Sequence, residues 1–317
     1  MVPVFSTIFT NTQDFCSTGR EALFSSYKRR IVEIGFGNGD FLVHLAETRG
    51  PGTLVLGLEV SAVCALKATR KLSERHLNNA RVILGDARFL LDKCFPRETL
   101  GGVFMNFPCP WPKNRHASRR VTSGRFTASL SRVLEKGGEF SLVTDEEWYA
   151  REVKNSLLQD PGFELASVEQ NPDLEITTKY GSKWLEMGKT IFRVAVRKRG
   201  TCSGPSVEKM EEFESMHTRV ALPDIDAGRK KAAGLLSRSG AREACHWSFK
   251  AIYWSEDGHA LLKAITSDDG FEQTFFFRLV FTGGSLLIKV EDAGAPLHTE
   301  AVKLAMASIG THFADVL

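Results

Sequence analysis

The sequence has no Cys-x-x-Cys pair and no cluster of cysteine with histidine; its six cysteines, Cys16, Cys64, Cys94, Cys109, Cys202 and Cys245, lie scattered along 317 residues. Such spacing points to neither a zinc site nor a disulfide framework, and no metal is expected. A reducing cytoplasm fits it. No uncharged apolar run is long enough to span a bilayer, and the N-terminus lacks the basic segment and apolar stretch of a secretory signal, so a soluble protein with no membrane partner is expected. Acid is missing from one long interval. No Asp or Glu falls between Glu98 and Glu135, while Lys113, Arg115, Arg119, Arg120, Arg125 and Arg132 fall inside it. The net charge of +3 also hides an asymmetry, with 29 Lys+Arg against 22 Asp+Glu in residues 1–205 and 12 against 16 in 206–317. The first part is the expected polyanion binder.

What is present begins at Lys28–Asp40, KRRIVEIGFGNGD. An apolar strand carrying an acid at Glu33 breaks into Gly35, Gly37 and Gly39 and then opens a helix at Asp40. Alternating glycines permit positive φ and close backbone approach, so a ligand can lie against the chain where a helix begins. The third glycine comes one residue earlier than in the dinucleotide fingerprint, which favours S-adenosylmethionine over NAD. Strands then alternate with helices: strands at 31–35, 54–59, 81–84, 102–106 and 138–143, helices at 40–49, 61–75, 87–94, near 123–134 and at 146–159. Strands near 163–169 and 190–198 form a closing antiparallel hairpin. This rhythm predicts an α/β fold with a doubly wound, mostly parallel sheet and ligands at the carboxyl ends of its strands. Residues 1–27 read as an arm or capping segment, and about 198–226 as a linker or peripheral helix. Beyond lie a short basic helix at 226–237, four strand-like runs (244–254, 259–266, 271–281, 284–290) in an antiparallel meander, and an amphipathic helix at 298–313. The expected division is a domain over 1–205 and an additional α+β C-terminal domain over 206–317.

The chemistry is expected at strand ends. Glu59 closes the second strand, where a carboxylate can accept both hydroxyls of an adenosine ribose. Asp86 can reach the adenine amine or serve as a helix N-cap, and both readings stand. Glu33 is expected to face the cleft near the methionine amino group. After the fourth strand come Asn106-Phe107-Pro108-Cys109-Pro110-Trp111-Pro112 and the run Lys113 to Arg120. Prolines stiffen the loop and the basic run suggests phosphate contacts.

The segments VEIGFGNGDFLVHLA, GLEV, GDA, NFPCPWPKNRHASRR, VTDEEWYA and TTKYG resemble, in order and spacing over about residues 30–198, the bacterial tRNA (guanine-N7-)-methyltransferase family. The resemblance implies the class I S-adenosylmethionine-dependent methyltransferase fold, tRNA as partner, and methylation of guanine 46 in the variable loop. It puts Glu33, Glu59 and Asp86, with the glycines 35, 37 and 39, on methyl-donor positions. Lys113, Asp145, Thr178 and Lys179 fall on tRNA positions, and Arg115, His116, Arg119 and Arg120 in an RNA-contacting segment. Two departures stand out. The family's Asp, assigned to donor contact and catalysis, is here Cys109, and its Thr-Lys-Phe-Glu tetrad reads Thr178-Lys179-Tyr180-Gly181. Guanine N7 carries an in-plane lone pair and no proton, so transfer needs alignment more than a base, and Asn106, Asp145 or a backbone carbonyl of the Pro-Cys-Pro loop can hold the guanine edge. Cys109 as a covalent nucleophile is the alternative on chemistry. The competing functions are a catalytically silent RNA-binding relative and a methyltransferase for another substrate.

Overall fold

The computed structural model describes residues 8–16, 20–112, 120, 124–174, 181, 187–200, 216–268, 270–291 and 296–314. The chain folds as two compact units, Met1–Met210 and Glu211–Leu317.

In the first unit the strands are β1 Phe9–Asn11, β2 Arg29–Ile34, β3 Thr53–Glu59, β4 Ala80–Leu84, β5 Leu100–Asn106, β6 Leu134–Thr144, β7 Phe163–Gln170 and β8 Phe192–Lys198. The helices between them are α1 Arg20–Ser25, α2 Asp40–Thr48, α3 Ala62–Glu74, α4 Ala87–Lys93, α5 Gly124–Val133 and α6 Glu147–Leu158. They build one eight-stranded sheet in the order β1-β4-β3-β2-β5-β6-β8-β7. Strands β2 to β6 pair in parallel, and β8 runs antiparallel to both β6 and β7. The fold is the expected α/β, doubly wound one. Strand order reverses at β2, whose neighbours are β3 and β5, so the crevice for a ligand opens at the carboxyl ends of these strands. Near-continuous apolar runs fit strands covered on both faces: Leu54, Val55, Leu56 and Leu58 of β3 are all buried. Helix α2 turns Leu42, Val43, Leu45 and Ala46 inward.

Two expectations for this unit need correction. The arm supplies a strand, β1, which pairs in parallel with β4 in the register Phe9↔Val82. Three residues are too few for a period to show, and the pairing partner lies far along the chain. Cys16 and Cys94, 78 residues apart, also form a disulfide, although their spacing suggested none. They meet where Phe15 packs on Phe95 with ring centroids 5.3 Å apart.

The second unit is a six-stranded antiparallel sheet in the order β10-β11-β12-β13-β14-β9. Its strands are β9 His217–Leu222, β10 Ser239–Arg242, β11 Cys245–Trp254, β12 Ala260–Asp268, β13 Phe271–Thr282 and β14 Gly284–Val290. The expected four-strand meander is its centre, and β9 and β10 extend it at both edges. Strand β9 lies in the stretch read as linker or helix; its HTRVAL alternation makes sense only once β14 is beside it. Helices α7 Ile225–Ala232, continued by a 3₁₀ turn Ala233–Ser237, and α8 Glu300–Ala314 cover one face. Phe249, Leu262, Phe275, Phe277, Ile288 and Phe313 are among the residues of that core.

The turn from β2 into α2 rests on Gly39, whose φ is +78° and whose missing Cβ would stand 2.6 Å from the Ala68 Cβ of α3. Gly39→Ala meets both a left-handed backbone and a buried helix, and should cost roughly 2–4 kcal/mol. Denaturant titration should show the lowered midpoint.

Candidate active site

Glu33 sits in β2, 2% exposed among apolar neighbours. Its Oε1 accepts a long hydrogen bond, 3.5 Å, from Asn106 Nδ2 at the end of β5. Its Oε2 is buried with no hydrogen-bond partner among the described residues. Burial pushes the Glu33 carboxyl up to about 8, against the pull of Asn106 and helped by the charges of Asp40 and Glu59. No lysine among the described residues pairs with it.

Glu59, at the end of the neighbouring β3, ties the glycine loop to the sheet. Its Oε2 accepts from the Gly37 backbone N–H at 3.1 Å, and its Oε1 from those of Val60 at 2.8 Å and Ser61 at 3.0 Å. Gly35 and Gly37 both have positive φ, and a Cβ on either would meet nothing within 4 Å. The loop therefore borders open space. Lys71 of α3 bonds Asp40 at the start of α2. Asp86 caps α4, accepting from the Arg88 N–H at 2.8 Å, and the Arg88 guanidinium also bonds its carboxylate. The N-cap reading of Asp86 is thus realised, and any ligand amine there shares the carboxylate with Arg88.

The loop after β5 is held in an unusual shape. Phe107 and Trp111 have φ of 48° and 47°, and the Phe107 N–H donates to Val143 O at 2.7 Å. Cys109 is exposed. Arg120 was expected at phosphate, but it is only 8% exposed. Its guanidinium donates to the carbonyls of Trp111 (3.0 Å) and Pro112 (3.3 Å) and to the Glu152 carboxylate (3.2 Å), and it stands 5.3 Å from the Trp148 ring centroid. It fastens the loop to α6. The acid-free interval is compensated in the same way elsewhere: Arg125 pairs with Asp92 at 2.7 Å, and Arg132 donates to the carbonyls of Leu91, Asp92 and Phe95. Neither belongs to an uncompensated basic field. Lys113, Arg115, His116, Arg119, Thr178 and Lys179 lie outside the described residues.

Asp145 follows β6, with its side chain 13% exposed, and is paired by Lys189. Lys189, Glu152, Trp148 and Arg88 had no motif of their own to single them out; only Trp148 lies within a segment already noted, VTDEEWYA. Among the described residues no cluster of three or more His, Cys, Asp or Glu stands close enough to hold a metal. None of their helices is long and apolar enough to cross a membrane. An acidic, partly desolvated crevice next to a glycine turn suits a ligand with an ammonium and a vicinal diol.

A family model described as putative methyltransferase matches residues 28–194. The tRNA (guanine-N(7)-)-methyltransferase of Thermotoga maritima is 36% identical over 294 residues, covering 90% of each chain. That of Thermus thermophilus is 32% identical over 289 residues, 90% of this chain and 89% of its own. Both matches reach well into the second unit. The protein of the same name from Ralstonia pickettii is 35% identical over 174 residues, 54% of this chain and 67% of its own.

Two outcomes follow from these geometries. Because the folded-state pKa of Glu33 is raised, the native state binds its proton more tightly than the unfolded chain does. Its stabilising effect is full below the unfolded value of 4.5 and is lost as pH rises through about 8. Thermal melts should show Glu33→Gln gaining on the wild type across that window, and parallel pH profiles would refute the buried protonated acid. Arg120→Ala should lower unfolding free energy by about 2 kcal/mol by orphaning loop carbonyls. An unchanged denaturation midpoint would return Arg120 to ligand contact.

Proposed function

The chain belongs to the tRNA (guanine-N7-)-methyltransferase family, and on that footing we propose that it transfers the methyl group of S-adenosylmethionine to N7 of guanine 46 in the tRNA variable loop. The observation that carries the donor half is the partnerless, buried Glu33 Oε2 beside the open glycine turn. A carboxylate so placed is best matched by a cationic donor such as an ammonium. In this reading Glu33 holds the donor's amino group, Glu59 its ribose hydroxyls and Asp86 its adenine amine, with Gly35, Gly37 and Gly39 letting the backbone approach. A cation seated on Glu33 favours its ionised form, so binding near neutrality expels the proton that burial had retained. When bound, the donor supplies an electrophilic methyl on a sulfonium. The surrounding carboxylates favour that positive charge.

The protein's remaining task is alignment, since N7 presents its lone pair without deprotonation. Asn106, Asp145 or a carbonyl of the Pro108-Cys109-Pro110 loop would hold the guanine edge. The clamp of Arg120 on Trp111 and Pro112 supports a loop rigid enough for this. Lysine 189 would fix the Asp145 carboxylate, with which it pairs. Lys113, Arg115, His116, Arg119, Thr178 and Lys179 would contact tRNA, as the family resemblance implies. Cys109 in place of the family's Asp, and Gly181 in place of its Glu, favour the silent RNA-binding relative as the competing reading.

Tritiated S-adenosylmethionine with unmodified tRNA, followed by nucleoside analysis, separates the two. Label should appear in 7-methylguanosine and vanish when guanine 46 of the tRNA is replaced. Cys109→Ala should retain activity to within about tenfold. A loss of several powers of ten with donor and tRNA affinities intact would make the thiol a direct participant.

A further inference from the structure

The second unit carries an antiparallel sheet whose helices cover one face only. Strand alternation sends Phe275, Phe277 and Leu279 of β13 into the core under α8, and therefore Phe276, Arg278 and Val280 to the opposite face. Register extends this face across the sheet. Tyr253 stands opposite Leu261, Leu261 opposite Arg278, Arg278 opposite Lys289, and Lys289 opposite His217. In the adjoining rows Arg219 lies opposite Leu287 and Lys263 opposite Phe276. A band of cations thus crosses β12, β13, β14 and β9.

Arg278 and Lys289 face each other directly, and like charges in that arrangement destabilise a sheet. Little around them offsets it. Arg278 stands 3.9 Å from Glu291 and within electrostatic reach of Asp257, whereas Arg219, Lys263 and Lys289 make no ion pair among the described residues. The other acid on this face, Glu272, lies opposite Ser267 at the far end of β13. Beside the cations stand two aromatics. Tyr253 is 55% exposed, and its ring centroid is 6.1 Å from that of Phe276 at 64°. Cations in register with accessible aromatic rings match a phosphate backbone and unstacked bases. Residues 206–317 as a whole hold 16 Asp+Glu against 12 Lys+Arg, these four cations included, so the band is a local device and not a general basic character.

We infer that the uncovered face of the second unit's sheet is an RNA-binding surface, with Arg219, Lys263, Arg278 and Lys289 meeting phosphates and Tyr253 and Phe276 offering stacking faces. The inference rests on the proposed tRNA substrate and adds a contact surface outside the methyl-transfer site.

The test uses the full chain, an unmodified tRNA transcript, filter binding over a range of salt, and steady-state methyl transfer. Arg219→Gln with Lys289→Gln should weaken tRNA binding about tenfold and flatten the slope of log K against log salt by roughly 1–2. KM for tRNA should rise in step, with kcat and the donor KM unchanged. Because Lys289→Gln also relieves a like-charge pair, the melting temperature should equal or exceed that of the wild type, which separates lost contact from lost fold. Tyr253→Ala should weaken binding without altering the salt slope. Lys230→Gln with Lys303→Gln, on the helical side, makes the same change in charge and should leave binding unaltered. Unchanged affinity in the first pair, or equal losses in both pairs, would overturn the inference. A wild type that binds tRNA without methylating it defeats the catalytic reading alone, since the affinities still decide this one. A wild type that binds no tRNA defeats the inference.

Discussion

A single buried carboxylate at the point where the strand order reverses organises the first unit. Glu33 has apolar strands on either side, one weak bond from Asn106 and one oxygen with no described partner, so its proton is held at neutral pH. Burying an acid in this position costs stability, and perturbed acids of this kind cluster at functional sites. The elements around it hold the crevice open. Glu59 binds the glycine turn from the side, α2 departs over Ala68 because Gly39 has no side chain, and β5 brings Asn106 into reach.

The loop after β5 shows a second constraint. Two non-glycine residues, Phe107 and Trp111, are left-handed, each at a cost of order 1 kcal/mol or more. Such a conformation persists only when neighbours over-determine it. Arg120 does so with bonds to two loop carbonyls, an ion pair to Glu152 on α6 and a stack on Trp148. Five donors on a planar guanidinium can meet several carbonyls at once, which a lysine there would not reproduce. The fixed shape of this loop therefore has its source in the first unit itself.

The second unit handles its exposed surface differently. Its core is apolar and aromatic beneath two helices, while the opposite face carries a cationic row in cross-strand register. Both features lie on the same strands. Alternation at period two assigns Phe275 and Phe277 to one and Phe276 and Arg278 to the other.

Much was determined by the sequence alone. The alternating strand and helix periods specified the doubly wound sheet, the Glu-x-Gly-x-Gly-x-Gly turn located the crevice, and hairpin-spaced turns located β11 to β14, because each of these signals is local. What depended on distant partners was settled only in three dimensions. Strands β1 and β9 are strands because β4 and β14 lie beside them, and Cys16 meets Cys94 across 78 residues. The basic interval without acids looked uncompensated along the chain, yet folding brings Asp92 to Arg125 and Glu152 to Arg120. Charge balance is a property of space and not of sequence distance: Coulomb attraction and hydrogen bonding act over a few ångströms, and only the tertiary fold sets which groups come that close.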